Sequence, residues 1–232
     1  MKIYAIGDLH LSSFSPKPMD IFGAHWDGHW ERIKKSWQSL VSENDVILLP
    51  GDLSWAMRLD EAKADLKEIC AMPGKKVLLK GNHDFWWGSL AQVNALLSGS
   101  AFALQNNCFQ FGEYMIAGTR GWLFPTNRQY KPETDEKIYV REAARLELSL
   151  SCARSKAPDA ALIGMIHYPP SDSEGSPTLF TDLFEKYGAR HVVYGHLHSA
   201  YISGALSGNI RGVDYSLVSC DAIGFSPVML NV

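Results

Sequence analysis

Asp8, His10, Asp52, Asn82, His167, His196 and His198 are the residues whose types and spacing are suited to chemistry. They comprise two carboxylates, one amide oxygen and four imidazoles. A mixed oxygen and nitrogen donor set without thiolate suits Mn²⁺, Fe or Zn²⁺ in a reactive site better than a structural zinc site. Seven donors are too many for one tetrahedral ion, but they serve two ions that share a carboxylate. Ion pairs of that kind lie about 3.5–4 Å apart and carry out hydrolysis at phosphorus. No single segment is specific. Asn82 and Asp84 in Gly81-Asn82-His83-Asp84, for example, are also ordinary turn residues. The weight comes from five segments with matching donor chemistry.

Each of those segments closes a predicted strand. Residues 2–6 end in Gly7-Asp8-Leu9-His10, and Asp8 and His10, two apart, project the same way from extended backbone. Residues 45–50, apolar from Val46 to Leu49 as a strand buried on both faces should be, end in Gly51-Asp52. Residues 75–80 follow a Pro73-Gly74 turn and lead into Gly81, which permits a sharp change of direction. Residues 160–166 stop at His167, and residues 191–194 stop at Gly195-His196-Leu197-His198. Helical periodicity fills the gaps: Trp26, Trp30, Ile33, Trp37, Leu40 and Val41 with Asp27 as N-cap, then residues 59–72, 89–97, 133–154 and 179–187. The alternation predicts an α/β architecture, in which functional groups collect at the carboxyl ends of strands. Short strands are expected from Ala101 on, with a turn at Asn106-Asn107, and again after Ala200, with a hairpin turn at Gly208-Asn209. The tryptophan stripe reads as a helix face packed on a sheet, and Trp122 as a packing residue. His25 and His29 read as surface or capping histidines, and His191, at a strand start, has no assigned role.

The bulk properties are those of a soluble globular chain: 232 residues, 46% hydrophobic, 20% charged, net charge −3. That balance provides no basic footprint for gripping nucleic acid along its length. The four cysteines, Cys70, Cys108, Cys152 and Cys220, show no Cys-x-x-Cys spacing. They read as small buried residues in a reducing compartment, neither a disulfide frame nor a zinc ribbon. A strand that begins at residue 2 leaves no room for a signal peptide, and no apolar run is long enough to span a bilayer. The expectation is a cytoplasmic protein with one domain over residues 1–232.

The series Asp8-x-His10, Gly51-Asp52, Gly81-Asn82-His83-Asp84, His167 and Gly195-His196-x-His198 resembles the calcineurin-like metallophosphoesterase superfamily, in that family's order and across most of the chain. Residues 17–23, Gly118-Thr119-Arg120-Gly121-Trp122 and His167-Tyr168-Pro169-Pro170 further resemble a bacterial branch of predicted phosphohydrolases. The resemblance implies a two-sheet β-sandwich flanked by helices and a pair of divalent ions, Mn²⁺ first, Fe or Zn²⁺ as alternatives. It implies Asp8, His10 and His198 on one ion, Asn82, His167 and His196 on the other, and Asp52 between them. A hydroxide held by the metals would be the nucleophile. His83 would donate a proton to the leaving group, and Asp84 would orient it. Phosphoprotein phosphatases of the superfamily carry Asp-Arg-Gly shortly after the second segment. Here Leu53-Ser54-Trp55-Ala56-Met57-Arg58 stands there instead. Arg120 is the candidate replacement for the missing phosphate clamp, a surface arginine being the equal alternative. The expected activity is hydrolysis of a small phosphomonoester or phosphodiester without membrane association. A nuclease and a non-catalytic metal-binding scaffold are the rivals, and all seven donors and His83 being filled argues against the scaffold.

Overall fold

The computed structural model describes residues 1–14, 16–97 and 99–232. Two sheets lie face to face, with helices on both outer sides. The first sheet holds β1 (Ile3–Ala5), β2 (Val46–Leu49), β3 (Lys75–Leu79) and β4 (Ala101–Leu104) as parallel neighbours in that order. A late strand, Val228–Met229, pairs antiparallel with β1 at the outer edge. The second sheet is built on β6 (Tyr114–Thr119), β7 (Ala161–Ile166), β8 (Ala189–Tyr194) and β10 (Val213–Leu217), all parallel. Antiparallel β5 (Cys108–Phe111) and β9 (Gly208–Ile210) close its two edges.

The near-continuous apolar strands follow from this layering, because each strand is covered on both faces. Ile3 and Ala5 of β1, Val46 and Leu48 of β2, and Val77 and Leu79 of β3 point inward, against Ile116, Ile163, Met165 and Val193 of the second sheet. Their alternates Tyr4, Ile47, Leu49 and Leu78 point outward, onto Ile33 and Trp37 of α1 (His29–Leu40) and Leu66 and Ile69 of α2 (Leu59–Ala71). On the far side, Met115, Leu162 and Val192 meet Leu146 and Leu150 of α4 (Pro132–Lys156) and Phe180 and Phe184 of α5 (Leu179–Lys186). Gly164 is what lets Phe184 lie flat on β7, since a Cβ there would overlap the ring. A shorter helix, α3 (Leu90–Asn94), is capped by Ser89, whose hydroxyl accepts from Gln92 N. The expected α/β sandwich with flanking helices is the observed fold.

Three local expectations give way. The N-cap of α1 is Gly28 in a left-handed conformation, not Asp27. The expected turn at Asn106-Asn107 is present, and it carries the chain from β4 in one sheet to β5 in the other. Asn106, with φ 60, turns the chain across while the Asn107 side chain bonds Gln105 N and Ala103 O. Gly208-Asn209 opens β9, and the hairpin turn falls at Arg211-Gly212, both at positive φ. Finally, Cys108 and Cys152 are not separate thiols. They form a disulfide that ties β5 to α4, with Cα atoms 6.1 Å apart. Their separation of 44 residues hid a contact that exists only because the helix packs back on the sheet. Cys70 and Cys220 are free. No helix among the described residues is long and apolar enough to cross a membrane.

Candidate metal centre

The parallel strands of both sheets end at one rim, and the loops beyond them are laced together there. Asp8 N donates to Gly51 O, His10 N to Asp52 O and Leu11 N to Leu53 O, so the turns after β1 and β2 run side by side. Beyond β10 the chain forms a strap: Gly7 N donates to Val218 O, Val218 N to Tyr194 O and Cys220 N to Gly7 O. That strap joins the end of β1 in one sheet to the end of β8 in the other. Asp8 can then accept from His196 N at 3.1 Å with both carboxylate oxygens.

The backbone at the rim is unusual. Asp8, His10, Asp52 and His196 all sit at positive φ, between 47 and 74. Non-glycine residues rarely adopt this region, and such strain is held in place only where surrounding contacts over-determine it. Two glycines admit the carboxylates. A Cβ on Gly81 would overlap Oδ1 of Asp52, and one on Gly195 would overlap Oδ2 of Asp8.

The seven expected donors converge. Asn82 Oδ1 lies 2.7 Å from His167 Nε2 and 2.7 Å from His196 Nδ1. His10 Nε2 lies 3.4 Å from His198 Nε2, which is 3.5 Å from Asp8 Oδ1. Asp52 Oδ2 stands between these groups, 3.5 Å from His167 Nε2 and 3.9 Å from His10 Nε2. Asp8, His10 and His198 form one metal-competent cluster, and Asp8, Asp52 and His167 form a second.

Tautomers decide what these contacts mean. His167 Nδ1 lies 2.9 Å from Pro50 O, a pure acceptor, so the ring proton is on Nδ1. Its Nε2 lone pair then faces the lone pairs of Asn82 Oδ1. His198 Nδ1 is likewise 2.8 Å from Asp221 Oδ1, leaving Nε2 to face His10 and Asp8. Electron pairs pointed at one another in a buried place are relieved by a cation, so the residues present fit divalent ions.

The charges say the same. Burial, together with repulsion from Asp84 and Asp8, pushes Asp52 well above the usual carboxylate range. Burial lowers His10, brings His167 down to about 3 and brings His196 down to about 4, so these rings are neutral donors. Burial would lower His198 too, but its bonds to Asp221 and Asp8 outweigh that and raise it to about 10. Without an ion, a proton holds the place between two carboxylates.

His83 and Asp84 are close in sequence but not in use. The His83 backbone N–H donates to Asp52 Oδ1 at 2.7 Å, which leaves Oδ2 of that carboxylate free to face the donors. Its imidazole is half-buried, 4.5 Å from the Trp55 ring and 5.8 Å from His10. Asp84 does not reach that imidazole. Its Oδ1 accepts from Leu53 N, Ser54 N and Trp86 Nε1, and its Oδ2 accepts from Gly81 N. The expected orienting contact is therefore replaced by a different job: Asp84 fixes the loops carrying Asp52 and Asn82. Burial nevertheless raises its pKa to about 6, against the effect of those four bonds.

Arg120 lies at the end of β6. Its carbonyl accepts from His167 N and Tyr168 N, while its guanidinium stacks 4.8 Å from the centre of Trp122 and sits 3.5 Å from Glu142. Trp122 packs against Tyr168 and donates to Asp135. His29 bonds Leu9 O and is not among the converging donors.

Asp221 was missed in the sequence. Its signal was there, an acidic residue just past an apolar strand, as at Asp8 and Asp52, but the C-terminal stretch carries no helix to mark its strands. The walls were missed as well. The Trp26 ring centre lies 5.7 Å from that of His198 in an edge-on arrangement, and the Tyr168 ring centre 4.3 Å from that of His196. Beside His196 and His198 opens a mostly apolar groove of about 760 Å³, with Phe22, Leu123, Arg128 and Tyr201 on its walls.

Two solved structures share this fold at low identity. One, described as a protein of unknown function, AQ665, from Aquifex aeolicus, is 14% identical with a TM-score of 0.54, over 98% of this chain and 95% of its own. The other, TT1561 of Thermus thermophilus, is 16% identical with a TM-score of 0.58, over 99% of this chain and 97% of its own. No curated protein matches the chain. The family model described as calcineurin-like phosphoesterase matches residues 1–200. That span holds all seven converging donors and both sheets' site-bearing strands, and the chain belongs to the calcineurin-like phosphoesterase family.

Proposed function

We propose that the chain is a dinuclear metal-dependent phosphohydrolase acting on a small phosphomonoester or phosphodiester. One observation carries the reading: Asp52 Oδ2 stands between two groups of converging donor atoms, 3.5 Å from His167 Nε2 and 3.9 Å from His10 Nε2. In this reading Asp8, His10 and His198 would hold one ion, Asn82, His167 and His196 would hold the other, and Asp52 would serve both. Mn²⁺ suits the donor set, with Fe or Zn²⁺ as alternatives. Bound there, the ions supply charge neutralisation at the phosphoryl oxygens and a lowered pKa for water.

The protein's own groups do the rest. His83 stands beside His10; burial holds its pKa below the usual histidine value, so the proton it would pass to the departing oxygen of the ester is carried mainly at mildly acid pH. Trp55 packs on it and limits its orientation. Asp221 holds the His198 tautomer by taking the Nδ1 proton, as carboxylates behind metal-binding histidines do. Trp26 and Tyr168 shield the donors from water. The groove beside His196 and His198 receives the organic part of the ester. The whole chain serves as one domain, because the donors come from both sheets.

Reconstitution with Mn²⁺, followed by elemental analysis and anomalous scattering, tests the site. The expected result is two ions per chain, with turnover on a panel of phosphomonoesters, cyclic nucleotides and dinucleotides. A single ion at saturating metal would overturn the two-ion reading.

A further inference from the structure

Away from the metal donors, a second polar cleft of about 250 Å³ opens at the same rim, between the ends of β3 and β4 in one sheet and β6 in the other. Lys80, Arg120 and Arg145 line it, and none of the seven donor side chains does. Among its lining residues the one carboxylate is Glu142, which is 1% exposed. Glu142 is already committed. Its Oε2 accepts from Thr119 Oγ1 at 2.7 Å, and its Oε1 accepts from Arg145 Nη1 at 2.7 Å with Arg120 Nη2 at 3.5 Å. The cleft thus gathers three cations around one carboxylate. Lys80 Nζ has a backbone carbonyl, Trp87 O, at 3.2 Å, which satisfies a hydrogen but not a charge. Arg120 Nε is buried with no acceptor among the described residues.

Like charges held together in a partly buried space repel, and a buried donor left without an acceptor costs free energy. An oxyanion between Lys80, Arg120 and Arg145 would relieve both. Guanidinium groups offer paired N–H donors that match phosphate or carboxylate oxygens. We propose that this cleft is an anion-binding site, separate from the metal centre, for a phosphate- or carboxylate-sized oxyanion. Arg120 then serves as an anion ligand at this cleft, where its side chain points, rather than as a clamp over the metals. The site is also wired to the centre. Lys80 precedes the Gly81–Asp84 turn, and the Arg120 carbonyl accepts from His167 N. An anion here therefore bears on the loops that carry Asn82 and His167.

The test uses the Mn²⁺-loaded full chain. Crystals soaked in tungstate, read by tungsten anomalous scattering, should show one oxyanion at the metals and another between Lys80, Arg120 and Arg145. In solution, isothermal titration with inorganic phosphate should resolve two binding events. Arg145→Gln should weaken the cleft event about tenfold or more and leave the metal-centre event in place. Arg145 is 40% exposed at its side chain, so that variant is expected to fold. Glu142→Gln, which removes the competing charge, should tighten the cleft event. Phosphate and malonate are then compared for displacing tungstate from the cleft, and the one that acts at lower concentration identifies the ligand as a phosphate or a carboxylate. A cleft free of tungsten while the metals carry it would overturn the proposal. So would a phosphate titration unchanged in Arg145→Gln, or displacement by neither anion. Because the metal-centre event is read separately, its loss would count against the metallophosphoesterase reading and not against the cleft.

Discussion

Asn82 and His83 are adjacent but face different tasks, and that makes them separable. The Asn82 amide oxygen lies 2.7 Å from two imidazole nitrogens, whereas the His83 ring touches Trp55 and His10 and meets Asp52 only through its backbone N–H. His83→Asn keeps that N–H, so both ions should stay. kcat should fall by about 10²–10⁴-fold for an ester with a poor leaving group and by much less for a nitrophenyl ester. Asn82→Ala should instead weaken one ion and slow both substrates alike. Metal content and turnover of the two variants decide the matter, and equal slowing of both substrates by His83→Asn would remove its proton-donor role. His198 carries a second prediction. Its pKa of about 10 in the metal-free protein lies above the usual histidine value, so the proton remains bound as pH rises through neutrality and is lost only near 10. Metal uptake must expel it. Between pH 7 and 9, Mn²⁺ binding should release at least one proton per chain, one from this group and any that the raised Asp52 carboxylate holds, and apparent affinity should rise with pH until about 10. Calorimetry in buffers of different ionisation enthalpy measures the release, and a value near zero would mean that His198 is neutral before the metal arrives.

The turns after the strands do the positioning, and their glycines are the sensitive points. Gly81→Ala would place a methyl group on the backbone N of Asp52 and on its Oδ1, which the His83 N–H holds in place. The Asp52 carboxylate must then move. The expected outcome is loss of at least one ion with the sheets intact, seen as reduced metal content and unchanged far-ultraviolet circular dichroism. Retention of two ions would show that the turn yields more easily than the contacts imply. These elements also show what the sequence made legible. Both-face burial leaves a plain mark, so β2, β3 and β7 and the donors at their ends could be read directly. The alternation of Trp30, Ile33 and Trp37 marked α1 just as clearly, though not its left-handed glycine cap. What stayed hidden depended on which sheet a strand joins. Asn106-Asn107 looks the same whether it closes a hairpin or crosses between sheets, and Cys108 meets Cys152 only after α4 has packed. The family resemblance implies Asp84 orienting His83, but the backbone donors Leu53, Ser54 and Gly81, which come together only in the fold, claim it instead.

Across the whole molecule, the candidate metal centre would also act as a joint. Asp8, His10, Asp52 and Asn82 stand on loops of the first sheet, and His167, His196 and His198 on loops of the second. An ion shared by both sets resists their separation, and any ligand bound only by the native state stabilises it by mass action. With free metal at about a hundred times its dissociation constant the gain is roughly 2.7 kcal/mol for each ion. At about 2–4 °C per kcal/mol for a chain of this size, chelation of both should lower Tm by roughly 10–20 °C. Added Mn²⁺ should restore it. Scanning calorimetry with and without chelator reads the shift directly, and an unchanged Tm would mean that the sheets hold together without the ions.

The strap from Val218 to Asp221 has a further consequence, for the time at which the site comes into being during synthesis. It binds Gly7 through both backbone groups and supplies the carboxylate that sets the His198 tautomer. Domains are made from the N-terminus at about 5–20 residues per second. Asp8 and His10 therefore leave the ribosome long before Asp221 exists to complete their neighbourhood. A nascent chain can assemble the parallel strands of the first sheet while its donors are still few and loosely held, so it should be a poor scavenger of metal. Only when residues 218–221 close over the end of β1 do the carboxylates and imidazoles take their final places. On the two-ion reading, metal loading would then be a late, near post-translational event, and a chain arrested before the strap should bind Mn²⁺ far more weakly than the finished protein.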